Sequence, residues 1–140
     1  MMTVVTERID LRTPGEVQVV DLTDRVQAAV TASGLRSGIV CIFNPGSTGA
    51  ITTIEYEPGL VADLPAALER LYPKGIAYKH DETWHDGNGH SHVRASMMGP
   101  GMSVPFVDGR LTLGTWQQII FVELDNKPHQ RHIVVQMVGE

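Results

Sequence analysis

Apolar and polar residues alternate from Val4 to Leu11, the period of a strand that buries one face. A shorter run, Val17 to Val20, predicts a second strand. From Thr23 to Ser33 the period lengthens. Val26, Ala29 and Val30 form a helical stripe, Thr23 stands where a cap belongs, and Gly34 follows where a helix can end in the left-handed conformation. Gly38 to Phe43 is apolar and contains β-branched residues, which predicts a buried strand. Asn-Pro-Gly-Ser-Thr-Gly, residues 44–49, marks a turn, and Ala50 to Tyr56 reads as a strand that Glu57-Pro58-Gly59 breaks. Leu64, Leu68 and Leu71 share one face of a helix predicted over Val61 to Leu71; Pro65 then has to lie near its first turn, with Asp63 as a cap. Tyr72 to Asn88 is polar and shows no period. Val104 to Val107 and Arg110 to Leu113 flank Asp108-Gly109, a pair that suits a type I′ turn and therefore a hairpin. Trp116 to Leu124 and His132 to Val138 complete the predicted strands.

Many strands with two to three short helices, and no regular βαβ alternation, predict an α+β domain with a largely antiparallel, sandwich-like core. A length of 140 residues fits one domain, 1–140, that can bury a core without covalent staples. Charge narrows the partners. A net charge of -5 argues against a general nucleic-acid binder, which needs a basic face to displace counterions; a local basic pocket for a small anion stays open. No run is long enough to cross a bilayer. The acidic N-terminus resembles neither a signal nor a transit peptide, so the expectation is a cytoplasmic protein with no membrane partner. The single cysteine, Cys41, falls in the apolar run 38–43, where a buried, inert thiol is expected.

The densest chemistry lies in WHDGNGHSHVR, Trp84 to Arg94, with three of the six histidines, and His80 just upstream. On an extended backbone His90 and His92 point to the same side and can share a metal ion. His80 or His85 would supply a third ligand and water the open position, the arrangement of a catalytic zinc site. Asp81, Glu82 and Asp86 are at hand as ligands or as partners that orient the imidazoles, and Gly87 and Gly89 allow a tight turn. The competing reading is a solvated loop rich in histidine, and His129 and His132, in or beside a polar loop, are read as solvated. GNGHSH lacks the third glycine and the acidic residue of a dinucleotide site, and no P-loop lysine follows NPGSTG. That loop does offer the Ser47 and Thr48 hydroxyls and glycine-flanked amides as a small anion nest, with a plain turn as the alternative. Arg94 is a candidate for gripping a phosphate. Gln117, Ile119, Phe121 and Glu123 share a face of the predicted strand, which makes Glu123 a candidate base or ligand, or an edge charge.

The ordered set YKH, DGNGHSHVRASMMGP, VPFVDGRLTLGTWQQIIFVELD and RHIVVQMVG resembles the small YjbQ-like family, also described as secondary thiamine-phosphate synthases. The likeness covers nearly the whole chain and is most specific from His80 to Gly139. It implies a compact α+β fold on a sandwich-like core, a homotrimer, and a histidine-lined, metal-containing pocket at or near the subunit contacts. By position it assigns His80 and His92 to the metal, with His90 added, and places Arg94 at a usually basic position. Gln117 and Glu123 match the family's strand pattern and stand as catalytic candidates. Where many members carry a histidine after the proline of the 44–50 segment, this chain has Gly46; His90 or a carboxylate would then have to compensate.

The implied activity joins hydroxymethylpyrimidine pyrophosphate to a thiazole phosphate, giving thiamine phosphate and pyrophosphate. Ser47, Thr48 and Arg94 would hold phosphate, and a metal with basic residues would stabilise the departing pyrophosphate. Histidine ligands favour zinc or a similar transition metal over magnesium, which prefers oxygen. Two further readings therefore stay open. One is another metal-dependent hydrolase or transferase acting on a small phosphorylated molecule; the other is a non-catalytic trimer that binds a metal or metabolite.

Overall fold

The alternating N-terminal run is the outer strand of a five-stranded antiparallel sheet. A computed structural model describes residues 1–140. In chain order its elements are β1 (Thr3–Thr13), β2 (Gln18–Asp21), α1 (Thr23–Ser33), β3 (Gly38–Phe43), β4 (Gly49–Ile54), α2 (Pro58–Leu71), α3 (Lys79–Trp84), α4 (Gly89–Met98), β5 (Gly101–Val107), β6 (Arg110–Leu111), β7 (Gln118–Glu123) and β8 (His129–Gly139). The large sheet runs β1-β8-β3-β5-β6 and a small one runs β2-β7-β4. β1 pairs with β8 along its whole length, Thr3 opposite Gly139 and Thr13 opposite His129. The fold is thus α+β, with every strand pair antiparallel. No helix is long and apolar enough to cross a membrane.

The main core fills the space between the sheets. Val40, Ile42, Phe106, Ile133, Val135 and Met137 project from the large sheet, and Ile51, Ile119 and Phe121 from the small one. Val26 and Val30 of α1 join them. Each such side chain contributes about 1.5–3 kcal/mol by leaving water. A second layer covers the other face of the small sheet, where Ala50, Ile120, Val122 and Leu124 meet Leu68 of α2 and Ala95 of α4. β7 is therefore buried on both faces, which is why its sequence reads as an unbroken apolar run. This stacking carries α4 against β4 and places the histidine segment over the 44–49 loop.

The hairpin forms as its turn chemistry requires: Asp108 and Gly109 have φ of 50° and 75°, both positive as a type I′ turn demands. β6 is shorter than the predicted Arg110–Leu113. Gly34 ends α1 with φ 73°. Other expectations shift. The second helix begins at Pro58, capped by the Glu57 carboxylate on the Gly59 and Leu60 amides, so Asp63 is not its cap and Pro65 lies in its interior. The aperiodic 72–88 region holds the short α3, and the histidine segment, expected to be extended, coils into α4. The buried residues of α4 include Ser91, Arg94 and Ala95, small or polar types whose helical spacing a hydrophobicity pattern does not register. Cys41 is only partly buried; it lies on the outward face of β3 between the exposed Ile39 and Phe43.

Candidate functional site

A helix turns its residues by about 100° each, so the two histidines of H-x-H on α4 cannot face one ion from the same side. They part. His90 is 1% exposed and its Nε2 lies 2.6 Å from the Glu16 carboxylate, which Lys74 also holds at 2.6 Å. Burial alone would raise the Glu16 pKa; the Lys74 and His90 contacts outweigh it and hold Glu16 below its ordinary value. His92 turns the other way. Its ring stands 4.3 Å from that of His80, centroid to centroid. Zinc–nitrogen bonds are about 2.0–2.1 Å, so two rings this close are candidates for a common ion.

α3 and the turn after it position His80. Gly89 makes the approach possible, because a Cβ there would stand 2.4 Å from Tyr78 Cβ. The Gly89 amide donates to Asp81 Oδ1 at 2.9 Å, which ties the start of α4 to α3. His80 Nε2 lies 3.0 Å from Asn88 Oδ1 and 3.3 Å from Asp86 Oδ1. Donor atoms of His80, Asp81 and Asp86 lie within 4.8 Å of one another, so carboxylates are available beside the imidazole pair. Burial, then the neighbouring His80, lowers the His92 pKa, against the pull of Asp125, Asp86 and Asp81. The neutral form that ligates metal is favoured. His85 stands apart: it ends α3 with φ 57° and lines a separate cavity with Tyr78 and Glu82.

His92 also lines a cavity of about 220 Å³ with Gly46, Ser47, Gly49, Ser96 and Pro100. Ser47 thus joins a histidine at the site. The backbone N–H groups of Ser47 and Thr48 make no hydrogen bond within the chain, which leaves them as donors for a ligand. Thr48 itself is buried and spent inward: its hydroxyl donates to Asp125 Oδ2 at 3.1 Å and accepts from Arg131 at 2.9 Å. Gly46 packs against an arginine. A Cβ built on it would lie 3.1 Å from Arg131 Nη1 and 3.5 Å from Asn44 Nδ2, so a histidine there would first have to displace the guanidinium. His90, committed to Glu16, does not take that histidine's place.

The remaining candidates lie outside this pocket. Arg94 is buried, and holds α4 to α2 through Glu69 at 2.8 Å and the Tyr72 carbonyl at 3.0 Å. Gln117 is exposed and precedes β7, its oxygen accepting from the Gly114 amide at 2.8 Å. Glu123 is 0% exposed. It accepts from Arg131 Nη2 at 2.6 Å, Arg131 Nε at 2.8 Å and the Thr13 hydroxyl at 2.6 Å. Burial pushes its pKa up, and those donors outweigh the push.

Residues that the sequence pattern did not single out hold the site from behind. Asp125 accepts from the Thr48 hydroxyl, from Asn88 Nδ2 at 3.2 Å and from the Asn126 amide at 2.8 Å. His129 Nε2 lies 2.6 Å from it, so His129, read as solvated, is a paired and half-buried residue, whereas His132 is exposed beside Asp10. Burial would raise the Asp125 pKa; the donors, His129 foremost, bring it down to about 2. An acidic residue one step beyond an apolar strand was the available signal, and it was indistinguishable from a loop charge.

The fold recurs among known proteins. The chain matches the UPF0047 protein YjbQ-like family over residues 7–140. A UPF0047 protein of Methanothermobacter thermautotrophicus is 39% identical over 139 residues, 99% of this chain and 95% of that one. The UPF0047 protein YugU of Bacillus subtilis is 32% identical, over 94% of this chain and 97% of its own. Among solved structures, a YbjQ-like protein of unknown function from Sulfolobus solfataricus superposes with a TM-score of 0.95 at 36% identity, covering 100% of both chains.

Proposed function

The chain belongs to the YjbQ-like family, and from that premise we propose that it is a metal-dependent enzyme acting on a small phosphorylated molecule between the 44–49 loop and α4. The observation that carries the reading is the convergence of His80 and His92, with His92 also lining the cavity that Ser47 shares. Two imidazoles beside carboxylates suit zinc or a similar transition metal better than magnesium. Bound there, such an ion would supply positive charge against a departing phosphate or pyrophosphate. The chain's own part is to hold the substrate. The Ser47 hydroxyl and the free Ser47 and Thr48 amides can donate to phosphate oxygens, and the neutral His92 can serve as a ligand. Among reactions on phosphorylated molecules, the joining of hydroxymethylpyrimidine pyrophosphate to thiazole phosphate is the first to test, because the family resemblance points to it.

The test starts with metal content in tag-free wild type and His92→Ala, followed by thiamine phosphate formation with the metal found. Bound transition metal that disappears in the variant, with product only from the loaded wild type, is the expected result. No metal after reconstitution with zinc overturns the metal site. Metal without product overturns the synthase activity and directs the search to other phosphorylated substrates.

The reading includes self-assembly into a homotrimer. What supports it is the outward face of the large sheet, where Val4 stands opposite Val138, Val138 opposite Ile39 and Ile39 opposite Pro105. This apolar row is exposed in the single chain, as is Phe43 nearby. Such a contiguous patch is what a subunit contact covers.

A further inference from the structure

Asn88 is 4% exposed and its side-chain amide bridges two groups. One end faces Asp125 Oδ1 at 3.2 Å, the other His80 Nε2 at 3.0 Å. The oxygen and nitrogen of an amide are alike in shape, so the partners must decide which end faces which. Asp125 decides it. A carboxylate only accepts, and this one already takes the Thr48 hydroxyl and the Asn126 amide. Asn88 must therefore turn its NH₂ to Asp125 and its carbonyl to His80. A carbonyl has no hydrogen to give, so His80 Nε2 has to carry one. Asp86 Oδ1, 3.3 Å from the same nitrogen, is a second acceptor and imposes the same requirement. A neutral imidazole carries a single N–H; its lone pair is left on Nδ1.

We propose that Asp125, acting through Asn88, fixes His80 as the Nε2–H tautomer, so that Nδ1 is the atom with which His80 ligates the metal. Asp125 and Asn88 are positioning residues. The inference rests on the metal reading above and sharpens it, because it chooses between two ligand sets. The first uses His80 Nε2, which lies 3.3 Å from Asp86 Oδ1, together with Asp81; one donor atom from each of the three residues lies within 4.8 Å of the others. That set would strip the buried Asn88 carbonyl of its donor, and an orphaned buried acceptor is costly. The second uses His80 Nδ1 with His92, whose ring is 4.3 Å away. It leaves Asn88 and Asp86 as the acceptors behind the ligand, the arrangement in which metal-bound histidines are commonly held.

Nuclear magnetic resonance of the chain with ¹⁵N-labelled histidine tests both halves. In metal-free protein His80 should show a protonated Nε2 whose hydrogen exchanges slowly with water; a protonated Nδ1, or a rapidly exchanging mixture, overturns the tautomer. On loading with zinc, Nδ1 should take the shift of a ligated nitrogen while Nε2 keeps its proton; ligation through Nε2 overturns the ligand choice. Failure of zinc to bind at all sinks the metal reading and the ligand choice with it, while the metal-free spectrum still judges the tautomer. Asn88→Ala should weaken zinc binding by about 10–100-fold. Asp125→Asn, which can keep an oxygen towards Asn88, should retain the His80 signature that Asp125→Ala loses. Equal loss in both variants would mean that Asp125 only supports the fold, and would overturn its positioning role.

Discussion

Glu123 offers a decisive contrast between chemistry and architecture. Its carboxylate is 0% exposed and paired with Arg131, whose side chain is 7% exposed. In Glu123→Gln the shape is nearly kept, but Arg131 loses its counter-charge, and an NH₂ replaces one of the oxygens that face Arg131, Thr13 and the Asp125 amide. Removing one partner of a buried ion pair costs about 3–5 kcal/mol. Unfolding entropy near 60 °C is about 2.1 cal/mol/K per residue, so over 140 residues it is roughly 0.3 kcal/mol/K, and Tm should fall by about 10–17 °C. Calorimetry at pH 7 measures the shift, and zinc uptake is measured alongside at a temperature where both proteins are folded. Uptake should be unchanged. The pH dependence adds a check on sign. The folded carboxyl titrates below its ordinary 4.5, so its contribution is complete above that pH and is lost as pH falls towards the folded pKa. The wild-type and Gln melting temperatures should therefore converge on acidification. An unchanged Tm with turnover abolished would refute the reasoning and return Glu123 to the role of a catalytic base.

Gly89→Ala forces a Cβ to 2.4 Å from Tyr78 Cβ; overpacking of this kind costs about 1–3 kcal/mol, measured by urea unfolding, and zinc should be held more weakly because α3 and α4 are pushed apart. Asp125 titrates at about 2 in the folded chain against an ordinary 3.8. It should therefore contribute about 2 kcal/mol of stability above pH 4, lost as pH falls from 3.8 towards 2, and urea midpoints across that range should show a flatter acid limb in Asp125→Asn. Ile39→Lys should change the stability of a lone chain by no more than about 0.5 kcal/mol; in a homotrimer it should yield smaller particles by light scattering, and an unaltered mass would exclude the β3 face from the contact.

Most strands were legible because they bury at least one face with β-branched residues, and Asp108-Gly109 announced its turn, and with it the short β6, by a backbone requirement that few other pairs meet. α4 was not legible. Its buried stripe is built from Ser91, Arg94 and Ala95, and two glycines precede or begin it, so neither hydrophobic period nor propensity marks a helix. α2 was displaced at its start because Glu57 caps through a carboxylate and Pro58 opens the first turn, a signal that a rule placing Pro65 near the N-terminus overrides. The site residues divided on the same ground. His80 and His92 converge, whereas His90 and Arg94 are drawn to Glu16 and Glu69, partners far away in sequence. Long-range pairing of that kind leaves no trace in local spacing.

The change from strand to helix at residues 89–98 also alters what the histidine cluster is for. On a strand, His90 and His92 would have been equivalent ligands. On a helix they separate by about 200°, and each acquires its own task. His90 pairs with Glu16, which Lys74 also grips, so one imidazole anchors the helix to the segment before β2. His92 is left to face His80 and the cavity. Asn88, one turn before His92 and also against His80, ties the site to Asp125 just beyond β7. The start of α4 therefore joins three parts of the chain around a single turn, and the close contact of Gly89 with Tyr78 is what lets that turn approach α3. A side chain at residue 89 would separate His80 from His92 without touching either, so the spacing of the imidazole pair depends on a residue that has no side chain at all.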